Sequence, residues 1–339
     1  MNVLGIESSC DETSASVVKD GHKILSQTIA SSADIHAHYG GVFPELACRR
    51  HIEAIIPVID EALEKAKMGP EDIDLIAVTK GPGLIGALLI GMHAAKGLSI
   101  AWNKPIIGVN HVEAHLYAAM MGSEKPPCLP ALGLVLSGGH TLLVQITNLG
   151  SYEFIGTTVD DAIGEAFDKV ATLLNLPYPG GPHIEFIAKQ GDPKKFSFKA
   201  GHVKKHPLNF SFSGIKTSVL YAIKGLPLSD IEKADIAASF QEAAFSDIAN
   251  KITLALQQFS CSAIYLGGGV CNNQRLRKLL AERFPHLQIF WPPKDLSLDN
   301  AAMIAGLGFH KFRQNNKQGD PLDLEACARI PITLSNHIA

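Results

Sequence analysis

The 339-residue chain has no C-x-x-C pair, no basic leader and no excess of charge of either sign. Its six cysteines (Cys10, Cys48, Cys128, Cys261, Cys271 and Cys327) are scattered, which excludes a disulfide framework and reads as reduced thiols in a reducing compartment. The opening residues, MNVLGIES, enter a strand pattern at once, without a basic n-region or an apolar h-region. The longest stretch free of Asp, Glu, Lys and Arg, Pro126–Tyr152, carries the turn Ser137-Gly138-Gly139-His140 in its middle and is not a membrane span. A soluble, cytoplasmic protein without a membrane partner is expected. Thirty basic against 33 acidic side chains, net −3, exclude a protein that is basic all over, so nucleic acid would be held by a local patch. One nucleotide signature is missing as well: no G-x-x-x-x-G-K-[ST] occurs, which excludes a P-loop.

What is present is a 46% hydrophobic composition, ample for a core and for about two domains, and thirty glycines that cluster. Three β-like runs open the chain, Val3–Glu7, Ser14–Lys19 and Lys23–Ala30, separated by the polar turns CDET and KDGH. Leu46, Ile52, Ile55, Ile56, Ile59 and Leu63 then fall at helical spacing up to Gly69-Pro70, with Pro57 expected to kink or split the helix. A strand at Asp74–Thr79, the turn KGPG, an apolar helix from about Leu84 to Ala101 and a strand at Pro105–Asn110 lead to a short helix starting near His111. The middle of the chain repeats this theme. GLVLSGGHTLLVQI matches the opening GIESSCDETSASVV, and AIYLGGGVCNNQRLRKLL mirrors DLIAVTKGPGLIGALL. Strands are expected at Ala131–Leu136, Leu142–Thr147 and Tyr152–Thr158, and helices at about Asp160–Leu174 and Ala234–Phe259. The pattern predicts an α/β protein of two similar halves, each starting with a three-stranded meander. Within the second half, Lys189–Lys224 holds eight lysines and two histidines against one acid, Asp192.

Four features carry possible chemistry. His111 and His115 lie at i and i+4, on one helix face, close enough to share a metal ion. Glu113 is about 200° round the helix from His111, so the base of an H-E-x-x-H metalloprotease is not in place. Glycine turns follow apolar strands at KGPG (80–83), SGGH (137–140) and GGG (267–269), where backbone N–H groups can approach a phosphate. Asp299 stands at a predicted helix start, either as an N-cap or as the carboxylate completing a two-histidine site. Asp160, Asp161, Glu165 and Asp168 form an acid cluster on one predicted helix, either a solvated face or a ribose-binding or catalytic group.

Together these motifs resemble the bacterial-type tRNA N6-adenosine threonylcarbamoyltransferases, the TsaD/Gcp family. The resemblance runs through GIESSCDETS (5–14), HYGGVFPELACRRH (38–51), GPGLIGALLIG (81–91), NHVEAH (110–115) and LVLSGGHT (134–141). It continues through DDAIGEAFDKVA (160–171), YPGGP (178–182), NFSFSGIKT (209–217), GGGVCNN (267–273) and DNAAMIA (299–305), in the family's order. The resemblance implies an actin/Hsp70-like (ASKHA) fold of two duplicated RNase H-like halves around a nucleotide cleft. We place them at 1–115 with a C-terminal helix at about 300–330, and at 116–299. It implies transfer of a threonylcarbamoyl group from threonylcarbamoyl-AMP to N6 of the adenosine 3′ of the anticodon, in tRNAs reading codons that begin with A, with AMP released. Carried over by position, His111, His115 and Asp299 match the metal ligands. Val135, Leu136, Ser137, Gly138, Gly139, Asp168, Gly181, Glu185 and Asn273 match positions that hold the adenylate. The metal is expected to be Fe(II), with Zn(II) as the alternative. Asp11 and Glu12, at the tip of the first hairpin turn, are the candidates for a base toward the weakly nucleophilic amine. The lysine-rich segment is the candidate tRNA contact. The implied protein partners are a paralogue of the same fold lacking the metal motif and a small P-loop ATPase. Two departures, Ala301 in place of the family's glycine and Asn272 in place of a smaller residue, touch geometry and leave every functional side chain in place. A non-catalytic scaffold of the same fold and a small-molecule kinase are the competing readings.

Overall fold

The computed structural model describes residues 1–32, 43–121, 126–225, 227–330 and 332. Residues 38–42, the start of the HYGGVFPELACRRH motif, lie outside the described residues. The chain packs as two compact units, unit 1 comprising Met1–Pro127 with Pro292–Ala339 and unit 2 comprising Cys128–Trp291. These limits differ from the halves placed by sequence because the helix that starts at His111 and the turn before Asp299 both pack within unit 1.

In unit 1, β1 (Asn2–Glu7), β2 (Glu12–Lys19) and β3 (Lys23–Ser31) form an antiparallel meander. The chain crosses through α1 (Pro44–Ala66) to β4 (Leu75–Gly81), parallel to β1, then through α2 (Ile85–Trp102) to β5 (Ile106–Asn110) and on into α3 (His111–Met121). The sheet order is β3-β2-β1-β4-β5. Helix α1 runs unbroken through Pro57, so it is not split there. Pro57 lies on the exposed face, as does Glu53, so the carbonyl that loses its helical partner faces water. Ile52 and Ile56, expected inside, are exposed, and the buried stripe consists of Ala47, His51, Ile55, Val58, Ile59, Ala62 and Leu63. Helix α2 is apolar and long enough to cross a membrane by length and composition, and it packs against α1 and β4 as one layer of the unit.

Unit 2 repeats the plan. A second meander, β6 (Ala131–Leu136), β7 (Thr141–Asn148) and β8 (Ser151–Thr157), leads into α4 (Ile163–Leu173), α5 (Gly180–Ala188), α6 (Ser213–Ile223) and α7 (Asp230–Gln258). There follow β9 (Ala263–Gly267), parallel to β6, α8 (Gln274–Arg283) and β10 (Gln288–Phe290). The order β10-β9-β6-β7-β8 is that of unit 1 with each strand replaced by its repeat.

The last helix, α9 (Ala301–Gln314), returns to unit 1 and lies across β1, β2 and β4. It can do so because residue 5 is glycine. A Cβ there would collide with the Ala301 carbonyl and stand 2.9 Å from Ala305 Cβ. Ser14 Oγ accepts from Ala301 N at 3.0 Å and fixes the first turn. Ala301, one of the departures, is fully buried in this seat. Beyond α9 the chain runs back along the sheet as a strap. Asp320 N donates to Ile106 O, Gly108 N to Asp320 Oδ2 and Cys327 N to Lys80 O, each at 2.8 Å, and Gly83 N donates to Ala328 O at 3.2 Å. The KGPG turn is therefore occupied by the strap and is not the phosphate-facing turn the sequence suggested.

A methyl at residue 5 forces α9 away from β1. We expect Gly5→Ala to lose on the order of 2 kcal/mol of stability in urea unfolding. A loss under about 0.5 kcal/mol would contradict this seat.

Candidate functional site

Helix α3 begins where β5 ends, and Asn110 makes that junction sharp. Its Oδ1 accepts from Val112 N at 2.9 Å and from Glu113 N at 3.2 Å, satisfying amides that have no partner in the helix. His111 and His115 thus project one turn apart, buried, with ring centroids 4.6 Å apart and nearly perpendicular. Glu113 points the other way, into a 2.6 Å salt bridge with Lys311 that ties α3 to α9.

The competition for residue 299 is settled by its neighbour. Asn300 caps α9, its Oδ1 accepting from Met303 N at 3.0 Å and its Nδ2 donating to Leu296 O and Leu298 O. Asp299 is not the cap. Its Oδ1 lies 3.1 Å from His115 Nε2 and 3.5 Å from His111 Nε2. Donor atoms of His111, His115 and Asp299 all lie within 4.8 Å of one another. A second such group consists of Asp11, Glu12 and Asp299, so the acids of the CDET turn come to the same place. His51 holds that turn, its Nε2 meeting Cys10 O at 3.0 Å and its Nδ1 meeting Thr13 Oγ1 at 2.7 Å.

The residues fit a divalent metal. Two imidazoles and a carboxylate are a recognised set for Fe(II) or Zn(II). His115 is 1% exposed and, among the described residues, neither ring nitrogen makes a hydrogen bond, the 3.1 Å approach to Asp299 lacking hydrogen-bond geometry. A buried polar atom left without a partner costs about 1–3 kcal/mol, which a bound cation at Nε2 would relieve. The charges are also poised. Burial pushes the His111 imidazole down, but the Asp299 and Glu7 carboxylates overrule it and raise it to about 9. Burial pushes Glu12 up, and Asp11 and Asp299 add to that, carrying it to about 10, so it keeps its proton at neutral pH.

In unit 2 the positions expected to hold the adenylate divide by exposure. Val135 and Leu136 are buried in β6, with backbone paired to β7, Ser137 is buried with its Oγ accepting from His140 N at 3.0 Å, and Gly138 and Gly139 are exposed. A Cβ at Gly138, Gly139 or Gly181 would meet nothing within 4 Å. Gly268, by contrast, has φ +94° and sits against the Leu136 carbonyl, so glycine is required there for the close approach of two backbones. Asp168 Oδ1 accepts from Gly180 N at 2.7 Å and holds the start of α5. Asn273 caps α8 through Arg275 N and Leu276 N, and Glu185 Oε1 accepts from Gln274 N at 2.8 Å beside it. The acid cluster is not one helix face, since α4 starts only at Ile163. Asp160 instead accepts from Ser211, Phe212 and Ser213, while Asp161 pairs with Lys169 and Lys216.

The lysine-rich segment is tethered along its length. Asp192 N donates to Asp235 Oδ1 at 2.7 Å, Phe196 N to Ser239 Oγ at 3.1 Å and Lys251 Nζ to Pro207 O at 2.7 Å. Lys216 is held by Asp161, and the other seven lysines of the segment are exposed.

Solved structures establish the class. The chain is similar to the Acidaminococcus fermentans (R)-2-hydroxyglutaryl-CoA dehydratase component A, at a TM-score of 0.54, 18% identity, and coverage of 92% of this chain and 98% of that one. It is similar also to the ROK hexokinase of Thermus thermophilus, at 0.53, 14% identity, 93% and 99%. Fold and site thus define an actin/Hsp70-like (ASKHA) α/β protein that carries a two-histidine, one-carboxylate donor set. Within that class, residues 23–306 match TsaD, tRNA N6-adenosine threonylcarbamoyltransferase. A protein of that name from Protochlamydia amoebophila (strain UWE25) is 59% identical over 339 residues, covering 98% of both chains. The chain belongs to this transferase family.

Sequence reasoning missed Glu7, which reads as an ordinary end-of-strand residue yet touches His111. The raised His111 pKa gives a sign that can be checked. Its folded value lies above the unfolded one, near 6.5, so the stability it lends the metal-free protein is full below about 6.5 and is lost as pH rises through about 9. In NMR titration of metal-free protein the His111 ring protons should move with a midpoint near 9. A midpoint below 7 would contradict this.

Proposed function

We propose that this protein transfers the threonylcarbamoyl group from threonylcarbamoyl-AMP to N6 of the adenosine 3′ of the anticodon, in tRNAs reading codons that begin with A, in a metal-dependent reaction that releases AMP. One observation carries the reading: His111, His115 and Asp299 converge with no other task assigned to the His115 nitrogens, in a chain of the family named for this transfer. The donor is a mixed carbamic–phosphoric anhydride and carries its own leaving group, so the protein's work is positioning and charge stabilisation. His111, His115 and Asp299 would hold one divalent ion, Fe(II) in preference to Zn(II), which when bound supplies Lewis-acid stabilisation of developing oxygen charge. Ser137–Gly139, Asp168, Gly181, Glu185 and Asn273 hold the adenylate, with the open amides of Gly138 and Gly139 taking phosphate charge. Of the two acids of the CDET turn, Asp11 accepts the proton that the exocyclic amine loses, since Glu12 already holds its own. Units 1 and 2 are, on this reading, the functional halves of a cytoplasmic enzyme assisted by a paralogue lacking the metal motif and by a small P-loop ATPase.

A scaffold subunit has no use for an intact donor set, and a small-molecule kinase would hydrolyse or transfer from ATP. Labelled threonine carried from threonylcarbamoyl-AMP to tRNA, with the bacterial partners added, separates these readings. His115→Ala should lower that transfer at least 100-fold; unchanged turnover would overturn the metal's role. Metal analysis of anaerobically purified protein should find iron, and full zinc occupancy without iron would reverse the choice of ion.

The exposed lysines of residues 189–224 neutralise tRNA phosphates in this account. Replacing Lys194, Lys195, Lys204 and Lys205 by Glu should weaken tRNA binding and flatten its salt dependence. An unchanged salt slope would remove the segment from the interface.

A further inference from the structure

We infer that Glu7 is a positioning residue for the metal site, fixing the tautomer and ring orientation of His111; the inference rests on the metal reading above. Glu7 ends β1 and is wholly buried, an unusual place for a carboxylate unless it is paired. Every contact it makes favours a charged, fixed carboxylate. Ser9 N donates to Oε1 at 2.5 Å, and Thr79 Oγ1, on the neighbouring strand β4, donates to Oε2 at 2.6 Å. The same Oε2 lies 3.0 Å from His111 Nδ1. Ser9 Oγ lies 3.2 Å from that nitrogen, longer and uncharged, so the carboxylate is the stronger acceptor.

A proton held on Nδ1 by Glu7 directs the His111 lone pair to Nε2, the nitrogen facing Asp299. Metal-bound histidines usually donate their second N–H to a carboxylate or a carbonyl in this manner, which orients the ring and raises its basicity. Among the described residues His115 makes no such bond at Nδ1, so the carboxylate's hold falls on one histidine.

The test is zinc binding by purified protein, read by competition with a chromophoric chelator, on wild type, Glu7→Gln, Glu7→Asp and His115→Ala. Glu7→Gln keeps the shape and removes the charge, and it should bind zinc about 10–100-fold more weakly while its far-ultraviolet spectrum is retained. Glu7→Asp, one methylene shorter, should recover part of that loss. A merely structural role predicts a lowered melting temperature with an unchanged Kd for the folded protein, and that result overturns the inference. Long-range 1H–15N spectra of zinc-loaded wild type decide the matter even if Glu7→Gln does not fold. A proton on Nδ1 of His111 with the metal at Nε2 supports the assignment, and the reverse tautomer sinks it. Wild type that binds no zinc, like His115→Ala, would instead show that the metal reading itself fails and take this inference with it.

Discussion

The site depends on the seat of α9 against β1. Asp299 is two residues ahead of that helix, so wherever α9 lies decides where the carboxylate lies. The seat requires glycine at position 5, an anchored first turn at Ser14 and the Lys311–Glu113 pair that binds α9 to the histidine-bearing helix. Asn300 then takes the capping work that an Asp at that point would otherwise do. A carboxylate almost 190 positions downstream is thereby brought beside the two histidines that share a helix.

Once those groups are together, electrostatics dominates. Six acidic and imidazole side chains, Glu7, Asp11, Glu12, His111, His115 and Asp299, share a largely buried volume of unit 1. Among them Glu7 keeps its charge because His111 and two donors overcome the cost of burial, while Glu12 gives up its charge because burial raises it and its acid neighbours add to that. The metal-free arrangement is thus one that a proton on His111 helps to balance, and a divalent cation would replace that proton with a better match. Unit 2 uses the same fold for a different end. Its open turn at Gly138 and Gly139 has no Cβ in the way, and its acids are spent on holding loops and helix starts.

Much of this was legible before any coordinates. Strand and glycine punctuation disclosed the duplicated α/β plan, and the motif series named the His111, His115 and Asp299 set. What the sequence could not separate were roles that depend on which face a residue takes. Pro57 was expected to kink or split α1, but the helix is continuous there, its exposed position letting water replace the missing bond. Asp160 and Asp161 looked helical because they adjoin an apolar period, whereas α4 begins after them and their oxygens are engaged by residues about 50 positions away. The KGPG turn looked like a phosphate turn because its occupant, the strap near Cys327 and Ala328, is remote in sequence. Glu7 was invisible for the same reason, since its partner His111 is 104 residues away.

The central claim is that these three side chains bind a single divalent ion. Anomalous diffraction at the zinc or iron edge, on crystals grown with that metal, tests it most directly. The account predicts one strong peak within bonding distance of His111 Nε2, His115 Nε2 and an Asp299 oxygen. A metal bound elsewhere, or none at these three atoms at saturating concentration, would contradict it.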